Sequence, residues 1–308
     1  MRTAILDMGT NVFSLLIAQV TKEGYEIIEV VKIPSKIGEG GITKGILTEQ
    51  AFKSAGEAMK CVEDVIAGHG GVDLRLAIAT SAVRGASNSA EFIKIAQSSG
   101  FRVEIISGER EAELIYKGVR ESMILYNEIF LIMDIGGGSN EFIIADKNKI
   151  YWKASFDMGV VRVRETITPS EPISDDQIFE FERYFSDGMK SLWEAAEIYK
   201  PTLLIGCSGS FDTLRELIYP DDDLSVPSLT MEREKMFSLH NKLLASKREE
   251  RASMRGMSPI RVDYIVIGSI LVNLVISKLN PIEICQSSYS LKEGCMAEIY
   301  ESLITNRQ

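Results

Sequence analysis

The sequence predicts an α/β protein made of two copies of one domain plan, each running βββαβαβα, with a ligand cleft between the copies. Three observations predict it. Short apolar runs bounded by turn residues alternate with helical periodicity along the chain. The same order starts again at Ile129. Finally, Asp7-Met8-Gly9-Thr10-Asn11 and Asp134-Ile135-Gly136-Gly137-Gly138-Ser139-Asn140 each follow an apolar run and open a tight turn into another.

In the first copy, strands are expected at Thr3–Asp7, Val12–Val20 and Tyr25–Ile33, separated by Gly9, Asn11 and Gly24. Phe52, Ala55, Met59, Val62 and Ile66 recur at helical spacing, so a helix is expected from Thr48 to Gly68. A strand at Leu74–Thr80, a helix at Ser89–Ser98 closed by Gly100, a strand at Arg102–Ile106 and a helix from Glu109 to Ser122 complete it.

The second copy opens with strands Ile129–Asp134, Glu141–Ala145 and Ile150–Phe156. A long helix is expected over Ser174–Tyr199, with Ser174 and Gln177 spaced as a capping box. Then come a strand at Thr202–Gly206, helices around Phe211 and Met231, an apolar helix from Ser258, a strand at Ile282–Cys285 and a last helix from Ser290. Domains are expected at 1–124 and 125–308, the final helix from about residue 290 being free to pack back on the first. No Gly/Ser or Pro linker separates them, so the connection is short and falls near Met123–Glu128. Pro220 to Pro227, with three aspartates, reads as a surface loop.

A 308-residue chain with 45% hydrophobic and 25% charged residues is long enough for two ordinary cores. Its formal charge of −10 repels polyanions at long range, which argues against a nucleic-acid partner, so an anionic ligand has to be captured by a metal and local donors. Cys61, Cys207, Cys285 and Cys295 form no C-x-x-C pair and only two histidines exist, which suggests neither a zinc site nor a disulfide framework and suits a reducing cytoplasm. Asp7 comes too early for a signal-peptide core, and Tyr264–Leu279, interrupted by Asn273 and serines, is too short for a membrane span.

The chemistry lies in the turns. An apolar strand ending in Asp, then Gly and a hydroxyl residue, gathers a carboxylate and several unpaired backbone N–H groups at one point. The amides can cradle phosphate oxygens and the carboxylate can hold hydrated Mg²⁺. Asp7 with Gly9, Thr10 and Asn11 is one such turn; Asp134 with Gly136, Gly137, Gly138 and Ser139 is the other. Three successive glycines exceed what a structural hairpin needs and point to close approach by a ligand. Arg84, in the polar loop after the Leu74–Thr80 strand, suits bidentate phosphate contact or an ordinary surface position. Gly206-Cys207-Ser208-Gly209-Ser210 offers a third set of amides at a helix start, with Cys207 a small filler rather than a nucleophile. Glu111, at the start of a helix with Glu109 and Glu113, fits either a dipole-stabilising or a catalytic role, and Glu141 either a solvent-facing or a ligand-facing one.

At these residues the chain resembles the exopolyphosphatase and guanosine pentaphosphate phosphohydrolase (Ppx/GppA) family, short two-domain type. That family is a branch of the actin, heat-shock-chaperone and sugar-kinase superfamily, with actin-like (ribonuclease H-like) domains. The family's D-x-G-S-N-S loop corresponds to Asp7, Gly9, Thr10 and Asn11, and its A-T-x-x-x-R segment to Ala79, Thr80 and Arg84. Its S-G-x-E-E-A helix start is matched by Ser107, Gly108, Glu111 and Ala112, and its D-I-G-G-G-S-T-E loop by Asp134 to Ser139 and Glu141. Met158–Arg162 resembles L-G-A-V-R, Gly206–Ser210 resembles G-x-G-G-T, and Leu291–Gly294 resembles L-R-E-G. Thr10, Val12, Asn140, Cys207 and Ser208 depart from these patterns.

The resemblance implies a hydrolase that releases terminal orthophosphate from inorganic polyphosphate. Glu111 and Glu141 are then the catalytic glutamates; Asp7, Asp134 and Glu141 hold Mg²⁺, or Mn²⁺; and Gly9, Thr10, Asn11, Arg84, Gly136, Gly137, Gly138, Ser139, Ser208 and Gly209 bind phosphate. Guanosine pentaphosphate is the alternative substrate. A kinase of the same superfamily, a non-catalytic polyphosphate or alarmone sensor and an actin-like filament protein, for which no sequence feature suggests a polymer contact, are the other readings, and a homodimer is left open.

Overall fold

Strand β1 (Arg2–Met8) lies at the centre of the first sheet of the computed structural model, which describes residues 1–125 and 127–305. Ala4, Ile5 and Leu6 are fully buried in it, as expected of a strand covered on both faces. Around it the sheet has the order β3-β2-β1-β4-β5, with β2 (Val12–Val20), β3 (Tyr25–Pro34), β4 (Leu74–Ala79) and β5 (Arg102–Ile105). β1 pairs antiparallel with β2 and parallel with β4, which sets Asp7 beside Ser14 and Ile78.

Helix α1 (Glu49–Gly68) starts where Thr48 Oγ1 accepts the Ala51 N–H at 3.1 Å, and it buries Ala55, Met59, Val62 and Ile66. It stops before Gly70 and Gly71, both at positive φ. The expected loop at Arg84 is instead a one-turn helix, α2 (Ser81–Arg84), and the expected Ser89–Ser98 helix is broken at Ile93 into α3 (Ser89–Phe92) and α4 (Lys94–Ser98). Helix α5 (Gly108–Ser122) follows β5.

The second sheet repeats the plan. β6 (Phe130–Ile135), β7 (Asn140–Ala145), β8 (Ile150–Phe156), β9 (Leu203–Cys207) and β11 (Glu283–Ser287) take the order β8-β7-β6-β9-β11. A short strand that the periodicity did not suggest, β10 (Ser228–Thr230), adds antiparallel to the β11 edge. Met231, expected in a helix, lies just after it, and its N–H is bound to Ile284 O at 2.7 Å.

Three further differences concern helices. After α6 (Val160–Thr166), the expected Ser174–Tyr199 helix is two, α7 (Asp175–Gly188) and α8 (Lys190–Tyr199). The chain breaks at the fully buried Met189, next to Gly188, where a Cβ would lie 2.5 Å from the Met158 side chain. Only half the capping box forms: Ser174 Oγ accepts the Gln177 N–H, while Gln177 Oε1 turns to Ser170. The apolar helix also starts later than Ser258. After α9 (Ser208–Ile218), α10 (Arg233–Ala245) and α11 (Arg248–Ala252), α12 covers Ile265–Leu279 and is buried on nearly every side.

By contact the chain forms two units, Ser122–Tyr289 and Met1–Glu121 with the segment from Ser290. α13 (Leu291–Thr305) therefore belongs with the Met1–Glu121 unit, packed on β1 and β2. It crosses α5 at two glycines: a Cβ on Gly118 would sit 1.9 Å from Ser290 O, and one on Gly294 1.8 Å from Leu114 O. Tyr126, in the expected connection, and residues 306–308 lie outside the described residues.

Candidate active site

Each unit carries its Asp-Gly turn where the first strand of its sheet ends. In the second unit the turn is backed by the start of α6. Gly136 O accepts the Val160 N–H at 3.0 Å, Gly137 O those of Val161 (2.8 Å) and Arg162 (3.2 Å), and Gly138 O those of Gly159 (3.2 Å) and Arg162 Nε (3.1 Å). With the carbonyls bound on that side, the N–H groups of Gly137, Gly138 and Ser139 have no acceptor among the described residues. Such a row of donors is suited to an anion. Two glycines are required by space: a Cβ on Gly136 would meet Ser139 O at 2.6 Å, and one on Gly159 would meet Gly137 C at 2.4 Å.

The first unit builds the same device with different partners. Thr10 O accepts Gly38 N–H at 2.9 Å, and Asn11 O accepts those of Ser35 (3.1 Å) and Lys36 (3.0 Å). The Gly9 and Thr10 N–H groups have no acceptor among the described residues, and a Cβ on Gly9 would lie 2.8 Å from Val12 O.

Glu111 and Arg84 come together in this unit. Arg84 Nη1 donates to Glu111 Oε2 at 2.9 Å and to Ile106 O at 3.1 Å, which leaves its Nε and Nη2 without acceptors among the described residues. Glu111 is 8% exposed. The ion pair gives its carboxylate one orientation while the remaining guanidinium nitrogens stay available to an anion.

In the second unit, strand register places Asp134 opposite Glu141 on β7 and opposite Cys207 on β9, and Glu141 opposite Ser155 on β8. Glu141, almost wholly buried, accepts on Oε1 from Ser139 Oγ at 2.7 Å and Ser155 Oγ at 2.6 Å. It does not face solvent. Ser139 thus keeps its N–H without an acceptor among the described residues, while its hydroxyl holds the glutamate.

Asp134 Oδ2 accepts from Ser208 Oγ at 2.6 Å and lies 3.5 Å from Cys207 Sγ. Burial, reinforced by the charge of Asp134, raises the Cys207 thiol well above its ordinary value, which favours the neutral form of a small filler side chain. Ser208 is a non-glycine residue in left-handed backbone, with φ of 65°. That conformation costs a side-chain residue about 1–2 kcal/mol, and its hydroxyl bond to Asp134 offsets part of the cost. Ser208→Ala keeps the strain and loses the bond, whereas Ser208→Gly loses the bond and relieves the strain. The alanine variant is therefore expected to be the less stable by about 1 kcal/mol, read by denaturant titration; equal stabilities would refute the strain.

One residue absent from the sequence-based set stands out. Arg261 lies against the start of α9, where a Cβ on Gly209 would fall 2.0 Å from its Nη2. Its Nη1 is buried with no hydrogen-bond partner among the described residues. Desolvation lowers the guanidinium pKa, and the charges of Asp212 and Asp134 oppose that shift. A half-buried guanidinium with one buried, unbound nitrogen, lying against the first turn of a helix, is suited to an anion. In sequence, Arg261 looks like any arginine before an apolar helix. Ser155 is equally invisible, and Arg162 is marked only as part of the Met158–Arg162 resemblance, because hairpin register and loop backing are long-range facts.

A duplicated sheet of one strand order, with an Asp-Gly turn after the first strand of each copy, defines an α/β protein of the actin-like class. This chain belongs to the Ppx/GppA phosphatase family, whose profile matches residues 16–303. The crystal structure of an exopolyphosphatase from Cytophaga hutchinsonii is similar, with a TM-score of 0.94 at 36% identity, covering 98% of both chains. A Mycobacterium tuberculosis protein named exopolyphosphatase 2 is 25% identical over 285 residues, 88% of each chain. A bifunctional 3-dehydroquinate synthase/phosphatase of Fusobacterium nucleatum is 26% identical over 292 residues, 89% of this chain, which spans 43% of that protein's length.

Proposed function

We propose that the chain is an exopolyphosphatase, which hydrolyses the terminal phosphoanhydride bond of inorganic polyphosphate and releases orthophosphate. The observation that carries the reading is the build of the two turns: each has carbonyls bound from behind, while the N–H groups of Gly9 and Thr10 in one and of Gly137, Gly138 and Ser139 in the other have no acceptor among the described residues, and each unit also holds an arginine with an unbonded nitrogen, Arg84 and Arg261. Family membership and the name borne by its relatives support the same substrate.

The donors fit a hard divalent cation. Asp7 of the first unit and Asp134 and Glu141 of the second would supply carboxylate oxygens to it. That combination suits Mg²⁺, or Mn²⁺, which keeps waters and takes further oxygens from the substrate phosphates. When bound, the cation neutralises charge on those oxygens.

The chain's own groups do the rest. The turn amides, Arg84 and Arg261 orient the terminal phosphates and neutralise their charge. Glu111 takes the proton of the attacking water as its oxygen bonds to phosphorus and the bridging P–O bond breaks, and Glu141, held by Ser139 and Ser155, assists. Among the described residues no helix is long and apolar enough to cross a membrane, and the four cysteines are free; cytoplasmic residence is part of this reading.

The test is colorimetric phosphate release from inorganic polyphosphate and from guanosine pentaphosphate, each with Mg²⁺ and with EDTA. Polyphosphate is expected to be the better substrate and EDTA to abolish turnover. Release from neither substrate in the presence of Mg²⁺ and of Mn²⁺ would sink the proposal.

A further inference from the structure

Strand β3 is one edge of the first sheet, and no strand pairs with its outer side among the described residues. Its exposure alternates without a break: Glu26, Ile28, Val30, Lys32 and Pro34 are exposed, while the residues between them are covered to some degree. The alternation continues through the extra residue at Ile28 in the ladder to β2. Ile28 is 39% and Val30 40% exposed, two β-branched side chains between the charges and the proline that ordinarily guard an open edge.

The order of these residues is nearly symmetric about Glu29: Glu26-Ile27-Ile28-Glu29-Val30-Val31-Lys32. An antiparallel pair of two such strands, related by a two-fold axis at Glu29, sets Glu26 opposite Lys32 and Ile28 opposite Val30 on the outward face. On the other face it sets Ile27 opposite Val31. Moving the axis to Ile28 would oppose Glu26 to Val30, and moving it to Val30 would oppose Ile28 to Lys32. Only the register about Glu29 matches acid with base and apolar with apolar throughout. The Glu29 side chains that then face each other each have a partner already, His69 Nε2 at the end of α1.

We infer that β3 is a self-association edge: two copies of this chain pair through β3, antiparallel about Glu29, into one continuous sheet. The arrangement is isologous, so every cross-strand contact occurs twice. It involves neither turn of the candidate active site and does not depend on the proposed activity.

Sedimentation equilibrium at tens of micromolar tests it. The wild type is expected to dimerise and Ile28→Lys to be monomeric. Glu26→Lys and Lys32→Glu, each opposing like charges twice, are expected to weaken the dimer by about tenfold or more. The double variant Glu26→Lys with Lys32→Glu restores acid opposite base and is expected to recover the wild-type constant. Unchanged circular dichroism confirms that each variant is folded. A monomeric wild type, a dimer indifferent to Ile28→Lys, or a double variant no better than the singles would each overturn the inference.

Discussion

Glu111→Gln is expected to lower kcat for polyphosphate by about two to four decades and to leave KM within a few fold, because a positioned general base contributes about 10²–10⁴ in rate. The amide keeps the shape of the side chain and an oxygen for Arg84, so the half-site of the first unit should stay assembled. What disappears is the basic group that accepts the water's proton. Full turnover in the variant would remove Glu111 from the mechanism. A large rise in KM with kcat intact would instead make it a binding residue, and steady-state kinetics with wild-type-like melting separates these outcomes.

Gly159→Ala is expected to damage stability and activity together. The backbone of Gly159, with φ of −65° and ψ of 155°, suits any residue, so the effect comes from space alone. The added Cβ would lie 2.4 Å from Gly137 C, 2.5 Å from Gly137 O and 2.5 Å from Gly138 C, and no flexible side chain is available to yield. Either α6 or the turn must move. Overpacking of this kind costs about 1–3 kcal/mol, and a displacement of about 1 Å at a positioned site can cost roughly a hundredfold in rate. Thermal melting and kcat/KM are the readouts; an alanine variant with both values unchanged would show that the turn is not held from behind by α6.

Much of this fold is legible in the sequence. The strands around Asp7 and Asp134 are short apolar runs cut by glycine, and the helix at Thr48–Gly68 shows its cap, its apolar spacing and its glycine stop in sequence alone. Elements were misread where local pattern and packing disagree. Ser174–Tyr199 has one continuous helical period, yet it breaks at Met189, where Met158 lies too close to Gly188 for a larger residue. β10 is three residues long and exists because β11 offers it an edge.

For the candidate site the division is similar. Asp-Gly turns, an arginine after a strand and acids at a helix start can be listed from the sequence, and the resemblance assigned roles to them. The pairing of Arg84 with Glu111, the double hydroxyl grip on Glu141 and the buried nitrogen of Arg261 join residues far apart in the chain.

The sequence by itself determined the duplicated plan, the two turns and the residue types that phosphate and a hard cation require. These are properties of local backbone and composition: glycine admits close approach, a carboxylate at a strand end supplies charge, and period and punctuation mark the elements. Only the tertiary structure decided which donors are left unbonded. A free amide or guanidinium nitrogen is defined by what every neighbour fails to offer it, and that is settled when α6 closes behind Gly136–Gly138 and the segment before α12 brings Arg261 to the start of α9.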